Sequence, residues 1–227
     1  LGAREHERVA HVAALEQLDV RVTALPPDTA FPDSTFVEDT AVVTAQGAIA
    51  ARPGAPSRAG EVAAIRAALV ARLGSVAAIS APGTLDGGDI CQADRTFFVG
   101  LSHRTNEEGA RQLTEWLGRA GYTSSIIDIR GSGPLLHLKS GIAWLGGGDL
   151  VVAEALAGHP ALAGYCRIVV PASETYAANC VRVNDAVLMA SGHPAVAAQV
   201  AALGHRVVTL DMSEFRKLDG GLSCLSL

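Results

Sequence analysis

Phe36-Val37-Glu38-Asp39-Thr40-Ala41-Val42-Val43-Thr44-Ala45-Gln46-Gly47-Ala48-Ile49-Ala50-Ala51-Arg52 reads as two short strands, Phe36–Thr44 and Ala48–Arg52, around a Gln46-Gly47 turn. Ser57 then caps a helix that carries Val62, Ile65, Leu69 and Leu73 on one face, and Val76–Ile79 follows as a third strand. The unit is strand, strand, helix, strand, and the change of apolar spacing from two to nearly four marks each boundary.

Moving outward, the same ββαβ cassette recurs. Asp89–Gln92, Phe97–Gly100, a helix from about Thr105 to Ala120, and Ser124–Ile129 form the second. Ser140–Leu145, Leu150–Ala153, a short helix and Arg167–Val170 form the third, with Gly146-Gly147-Gly148 loosening its hairpin. Cys180–Val183, Val187–Met189, a helix over Pro194–Leu203 and Val207–Leu210 form the fourth. A helix from about Arg4 to Leu18, a strand Val20–Leu25 and the strand-like Ser223–Leu227 are the parts of a fifth, split across the termini. Five such units closed into a ring would bury the short strands centrally and place the helices outside. No Pro/Gly-rich linker interrupts the pattern, so residues 1–227 are expected to form one α/β domain. The competing reading is an ordinary α/β sheet with the hairpins misassigned.

Composition narrows the function. The chain has 227 residues, 49% of them hydrophobic, and a net charge of −5, which supplies no positive field for a phosphate backbone. Nucleic acid is not an expected partner, and neither is a membrane, because no apolar stretch approaches the roughly 20 residues that span a bilayer. Cys91, Cys166, Cys180 and Cys224 lie far apart with no C-x-x-C pair, so no zinc knuckle or dense disulfide framework is expected and a reducing cytoplasm is the default. The chain opens on Leu1 and stops three residues after Cys224, so both ends are expected to be cut back from a longer protein.

Chemistry concentrates at the head of each cassette's first strand. The first carries Asp33, Glu38 and Asp39, the second Asp86 and Asp89, the third His137, the fourth Asn179 and Cys180, and the terminal one Cys224. In a ring, equivalent heads converge on one end of the axis. A thiol beside a histidine and an acid is the constellation of cysteine-based nucleophilic catalysis, since a free thiol with pKa near 8.5 is only a few per cent thiolate at neutral pH. Cys224 follows Gly220-Gly221, where backbone can approach a ligand closely, whereas the other three cysteines lie in or beside apolar runs. Taken alone, Cys224 also reads as an inert buried thiol and His137, between Leu136 and Leu138, as a hydrogen-bonded structural histidine. Glu38 and Asp39 are wedged into an apolar strand, a placement for which a cationic ligand is the economical partner. Thr84-Leu85-Asp86-Gly87-Gly88-Asp89-Ile90 has the same character, though it also reads as an ordinary Asp/Gly turn. Arg58 and Arg104 each precede a predicted helix, and their planar guanidinium groups suit bidentate recognition of a carboxylate.

Seven motifs occur in order: Phe36-Val37-Glu38-Asp39, Arg52-Pro53-Gly54-Ala55-Pro56-Ser57-Arg58, Leu85-Asp86-Gly87-Gly88-Asp89, Arg104-Thr105-Asn106, Leu136-His137-Leu138-Lys139-Ser140, Ala177-Ala178-Asn179-Cys180 and Asp219-Gly220-Gly221-Leu222-Ser223-Cys224. Together they resemble the dimethylarginine dimethylaminohydrolase family along the whole chain. The resemblance implies a five-bladed α/β-propeller (pentein) fold with pseudo-fivefold symmetry, and hydrolysis of Nω-methylated L-arginine to L-citrulline and a methylamine. It implies Cys224 as nucleophile, His137 as general acid and base, and Asp86 as the group that orients His137. Asp33, Glu38 and Asp39 would surround the substrate guanidinium, Arg58 and Arg104 would bind its α-carboxylate, and the Leu218 carbonyl would help hold its α-amine. No metal or cofactor is implied, and the protein would be a monomer or homodimer. The family normally has a first strand and a flap before the helix that opens this chain.

The chemistry is consistent with these roles. A guanidinium carbon is a poor electrophile because its charge is delocalised, so the site needs a strong nucleophile and a proton for the departing amine. Carboxylates on the guanidinium nitrogens would fix its plane for perpendicular attack. Two rivals share the fold: an arginine deiminase-like hydrolase, and a non-catalytic ribosome-binding protein with no need for the thiol, imidazole and carboxylates.

Overall fold

The computed structural model describes residues 2–133 and 135–227. Helix α1 (Ala3–Gln17) comes first, followed by β1 (Ala41–Thr44), β2 (Gly47–Ala50), α2 (Val62–Leu73) and β3 (Ala77–Ala78). Next come β4 (Ile90–Ala93), β5 (Thr96–Leu101), α3 (Glu107–Arg119) and β6 (Thr123–Asp128), then β7 (Ile142–Gly146), β8 (Asp149–Ala153) and β9 (Cys166–Val170). The chain continues with β10 (Val181–Val183), β11 (Ala186–Ala190), α4 (Pro194–Ala202), β12 (Arg206–Leu210) and a single turn, α5 (Ser213–Arg216).

The repeat is therefore present four times, each as its own three-stranded sheet. In every sheet the middle strand runs antiparallel to the strand before it and parallel to the strand after it. A parallel partner requires a crossover. Helices α2, α3 and α4 supply it in three sheets, and in the third the expected short helix is instead two 3-10 turns, Glu154–Leu156 and Pro160–Leu162.

Two compact units hold the sheets. Pro27–Lys139 with Ser226–Leu227 carries the first two, and the segment ending at Pro26 with Ser140–Leu225 carries the other two. In the first unit Leu85, Phe97, Val99, Leu113 and Leu117 are buried together, and each such side chain contributes roughly 1.5–3 kcal/mol. Ala110, Leu113 and Leu117 line the inner face of α3, whose N-cap Asn106 accepts from the Gly109 amide at 2.8 Å. In the second unit Leu145, Val151, Val187, Met189 and Val200 form the core. The Gly146-Gly147-Gly148 run has a structural reason: all three glycines take positive φ, and the β7–β8 register shifts between Trp144 and Gly146. A Cβ on Gly146 would meet only the movable tip of the Arg182 side chain, so it is the positive φ that calls for glycine at the bulge.

The first strands start later than the apolar pattern predicts. Only Ala41–Thr44 of the expected Phe36–Thr44 is strand, and Val37–Thr40 is a 3-10 turn. The same turn precedes β4 at Gly87–Asp89, β7 at Leu138–Ser140 and β10 at Ala172–Ala178. It winds the chain so that polar side chains next to apolar ones turn inward toward donors rather than taking places in a ladder. Ser57 lies inside a further 3-10 turn, Pro56–Glu61, and α2 starts at Val62 after Glu61. Two expected strands are corrected. Val20–Leu25 is not a strand, and Ser223–Leu227 holds a 3-10 turn at Ser223–Leu225 instead. An alternating apolar pattern becomes a strand only where a partner edge takes up its amides, and neither segment pairs with a strand among the described residues.

Candidate active site

The 3-10 turns of the first unit bring Asp39, Asp86, Asp89 and His137 together, and all four are buried. Asp39 accepts from the Gly88 amide at 2.9 Å through Oδ1, while its Oδ2 meets Arg58 Nη1. Gly87 and Gly88 permit this approach. A Cβ on Gly87 would stand 2.0 Å from the Glu38 carbonyl oxygen, and one on Gly88 would stand 2.8 Å from His137 Nδ1.

Asp86 accepts the Gly54 amide at 2.9 Å on Oδ1 and His137 Nε2–H at 3.1 Å on Oδ2. Burial works against its charge, but the hydrogen bond and charge of His137 outweigh that and hold its carboxyl below the usual range. Burial also opposes a charged His137, yet the Asp86 bond and the charges of Asp39 and Asp89 prevail and push it up to about 9. At neutral pH His137 is therefore an imidazolium, with Nε2 also 3.9 Å from Asp39 Oδ1. Such a group donates a proton readily to a departing amine.

Arg58 is not a free reader of carboxylates. Its Nε and Nη2 reach Glu61 at 3.0 and 2.7 Å, and Nη2 also donates to the Phe36 carbonyl at 3.0 Å and the Asp33 carbonyl at 3.2 Å. Burial opposes its charge, and the Glu61 and Asp39 carboxylates more than restore it. Glu38, expected at the substrate guanidinium, is paired with Lys139 Nζ. Asp33 is exposed, with its main chain rather than its carboxylate serving the cluster. Arg104 is half-buried, and its guanidinium has no hydrogen-bond or ion-pair partner among the described residues, while its charge helps lower the Asp86 pKa. Of the two arginines it is the one open to a ligand.

Asp39, Asp86 and His137 each bring a possible metal-ligand atom within 4.8 Å of the others. A metal ion would have to displace the proton that His137 holds up to about 9 and compete with Arg58 for Asp39. A planar cation that carries its own donors suits the carboxylates better.

The second unit holds Cys224 and Leu218. Cys224 lies in the Ser223–Leu225 turn, and its Sγ accepts from the Gly221 amide at 3.4 Å. Asn179 clamps the preceding residue: its Oδ1 accepts Ser223 N–H at 3.1 Å and its Nδ2 donates to Ser223 Oγ at 3.1 Å. Tyr176 donates to the Gly220 carbonyl at 2.8 Å beneath the Arg216 guanidinium. Burial, and then the nearby Cys224 charge, push the Tyr176 phenol upward. Leu218 is 42% exposed. Cys91 and Cys180 are buried, Cys224 is half-buried, and Cys166 is exposed despite its apolar run.

Sequence reasoning assigned no role to Glu61, Ser102, Thr105, Tyr176, Asn179 or Asp89. Thr105, Asn179 and Asp89 stood inside the quoted motifs, and the i, i+3 spacing of Arg58 and Glu61 was the signal for that pair.

No family model matches the chain. Among curated proteins, N(G),N(G)-dimethylarginine dimethylaminohydrolase of Pseudomonas aeruginosa is 44% identical over 220 residues, covering 96% of this chain and 85% of the relative. Two solved structures superpose closely. A histidine-to-glycine variant of a dimethylarginine dimethylaminohydrolase, as its adduct with S-methyl-L-thiocitrulline, has a TM-score of 0.94 at 42% identity and covers 98% of this chain and 87% of its own. A cysteine-to-serine mutant of the Pseudomonas aeruginosa enzyme, complexed with citrulline, has a TM-score of 0.94 at 42% identity, with 98% and 86% covered. This chain belongs to the dimethylarginine dimethylaminohydrolase family.

Proposed function

We propose that the protein hydrolyses Nω-methylated L-arginine to L-citrulline and a methylamine through a covalent cysteine intermediate. The observation that carries this reading is the His137–Asp86 pair, an imidazolium held at 3.1 Å by a buried carboxylate beside a second carboxylate, Asp39. The Cys224 thiolate attacks the guanidinium carbon. His137 gives its proton to the methylated nitrogen as the C–N bond breaks, and the amine departs. Neutral His137 then takes a proton from water, the resulting hydroxide adds to the same carbon, and the C–S bond breaks as the hydroxyl proton passes to solvent, which releases citrulline and restores both the thiolate and the imidazolium.

Recognition follows from charge. Asp33, Glu38 and Asp39 serve the substrate guanidinium, Arg104 reads the α-carboxylate, and the Leu218 carbonyl takes the α-amine. Arg58 joins the α-carboxylate only by leaving Asp39, and the incoming guanidinium supplies the charge that replaces it there. Residues 1–227 act as one catalytic domain, a monomer or homodimer in a cytoplasmic setting, with no metal, cofactor, nucleic acid or membrane partner. The 3-10 turn at Ser223–Leu225, like those ahead of β1, β4, β7 and β10 though no strand follows it, supports a fifth unit built from the terminal segments and closing a pseudo-fivefold ring. Citrulline release from asymmetric dimethylarginine, monomethylarginine and free arginine is the test. Turnover of the methylated substrates that disappears in Cys224→Ser supports the reading. Preference for free arginine favours a deiminase-like hydrolase instead.

A further inference from the structure

Asp89 is fully buried, and its oxygens accept three bonds from two segments, the turn after His137 and the loop around Arg104. Oδ1 accepts the Leu138 amide at 3.0 Å, adjacent to His137 in the chain. Oδ2 accepts two hydroxyl protons, from Ser102 Oγ at 2.6 Å and Thr105 Oγ1 at 2.6 Å. These hydroxyls are themselves acceptors. Ser102 Oγ takes the Arg104 amide at 2.9 Å and the Thr105 amide at 3.1 Å, and Thr105 Oγ1 takes the Asp86 amide at 3.1 Å.

We propose that Asp89 is the positioning residue of this site, one buried carboxylate that sets His137, its partner Asp86 and the Arg104 loop in a common frame. The inference rests on the roles given above to His137 and Arg104. The direction of each bond follows from counting. Both Ser102 lone pairs are occupied by amides, so its proton points at Asp89, and Thr105 has to donate as well because its oxygen receives Asp86 N–H. Asp89 is thus asked for three acceptor positions and no donor, which only the carboxylate provides. Burial raises its carboxyl above the usual range even though the His137 charge and these donors pull the other way, so the three donors are what keeps the charged form in reach. The arrangement links proton chemistry to substrate reading, since the loop that carries the unpaired Arg104 and the turn that carries His137 cannot shift independently while both are tied to one carboxylate.

Asp89→Asn keeps the shape and breaks the count. Its amide presents donors either to the two hydroxyls or to Leu138 N–H, and at least one bond is lost. The charges facing His137 are Asp39, Asp86 and Asp89, with Arg58 on Asp39 and Arg104 near Asp86. In substrate-free protein with labelled imidazoles, NMR titration of His137 in Asp89→Asn should fall by a unit or more from about 9, and kcat for asymmetric dimethylarginine should drop about tenfold or further. Ser102→Ala, which frees the Arg104 amide, should raise KM for the same substrate about tenfold. If Asp89→Asn does not fold, Thr105→Val decides, because it removes one donor to Asp89 and the acceptor of Asp86 N–H and should produce the same His137 shift. A folded Asp89→Asn, or failing that Thr105→Val, in which His137 titrates as in wild type overturns the proposal. The titration needs no substrate, so a wild-type protein that releases no citrulline from any methylarginine would sink the functional reading and leave the Asp89 result to stand or fall by itself.

Discussion

Replacing Arg58 and Arg104 by alanine separates two roles that the sequence gives in common. Arg58 is 6% exposed and faces Asp39 and Glu61, themselves 3% and 4% exposed. Its removal leaves two carboxylates buried without their cation, and breaking a buried pair from one side costs about 3–5 kcal/mol. Against a domain stability of roughly 5–15 kcal/mol, that is a large fraction. With a urea m-value of about 2 kcal/mol/M, the midpoint should move down by roughly 1.5–2.5 M. Arg104→Ala removes a half-buried side chain whose guanidinium has no partner among the described residues, so its stability should stay within about 0.5 kcal/mol of wild type and its midpoint within about 0.25 M. Its effect should be on KM for methylarginine, roughly 10- to 150-fold for the loss of about 1.5–3 kcal/mol of charged hydrogen bonding. Equilibrium urea unfolding followed by far-UV circular dichroism gives the first quantity, and initial-rate citrulline assays give the second. Arg58→Ala paired with Glu61→Gln should recover part of the loss, since one orphaned charge is gone. An Arg58→Ala protein that unfolds at the wild-type midpoint refutes the reasoning.

Three further outcomes are expected. Because folding raises His137 from 6.5 to about 9, its contribution to stability is complete below about pH 6.5 and is lost as pH rises through 9. That amounts to on the order of 3 kcal/mol, and His137→Gln should flatten this slope of the urea midpoint against pH. In turnover, His137→Gly should lower kcat on dimethylarginine roughly 10²- to 10⁴-fold while S-methyl-L-thiocitrulline, whose thiolate departs without a proton, is largely spared in the first step. Equal losses on both substrates would move the role of His137 to activation of the thiol. Asn179→Ala should slow alkylation of Cys224 and lower kcat by an amount matching about 1–3 kcal/mol, since both of its bonds to Ser223 vanish, whereas an unchanged alkylation rate would show that the nucleophile turn holds itself.

The repeat was legible because its signal is periodic and local. Strands β2, β5, β8 and β11, paired on both sides, fall within a residue or two of where the apolar runs place them. The helices α3 and α4 follow from apolar spacing, whereas Ser57, the cap read from the sequence, lies inside the Pro56–Glu61 turn and Asn106 caps α3 instead. What the pattern could not give was the first residues of each repeat. Phe36–Thr40 looks like the start of a strand by composition alone, yet Asp39 meets its donor on Gly88, and that long-range bond decides the local conformation. Val20–Leu25 and Ser223–Leu227 alternate well enough to be strands, and no property of the segments themselves reveals whether an edge is there to receive them.

The site was legible in a different way. Asp39, Asp86 and His137 stood out as polar residues at strand heads that a ring would bring together, but the cation expected for Asp39 was a ligand, whereas Arg58 of the chain itself meets it, and the pairing of His137 with Asp86 was implied by the resemblance alone. The argument fails for Arg58, because a guanidinium beside a predicted helix has the same appearance whether it awaits a substrate carboxylate or is already held by Glu61 three residues on. Burial distinguishes the cases. The Arg104 guanidinium has no hydrogen-bond or ion-pair partner among the described residues, whereas Arg58 uses Nε, Nη1 and Nη2 on carboxylates and carbonyls of its own chain. An arginine filled in this way stabilises the acidic cluster in the absence of substrate. On the function proposed above, an incoming guanidinium would have to match Arg58's charge at Asp39 before Arg58 could turn to anything else, and such a cluster would select a substrate that is cationic at one end and anionic at the other.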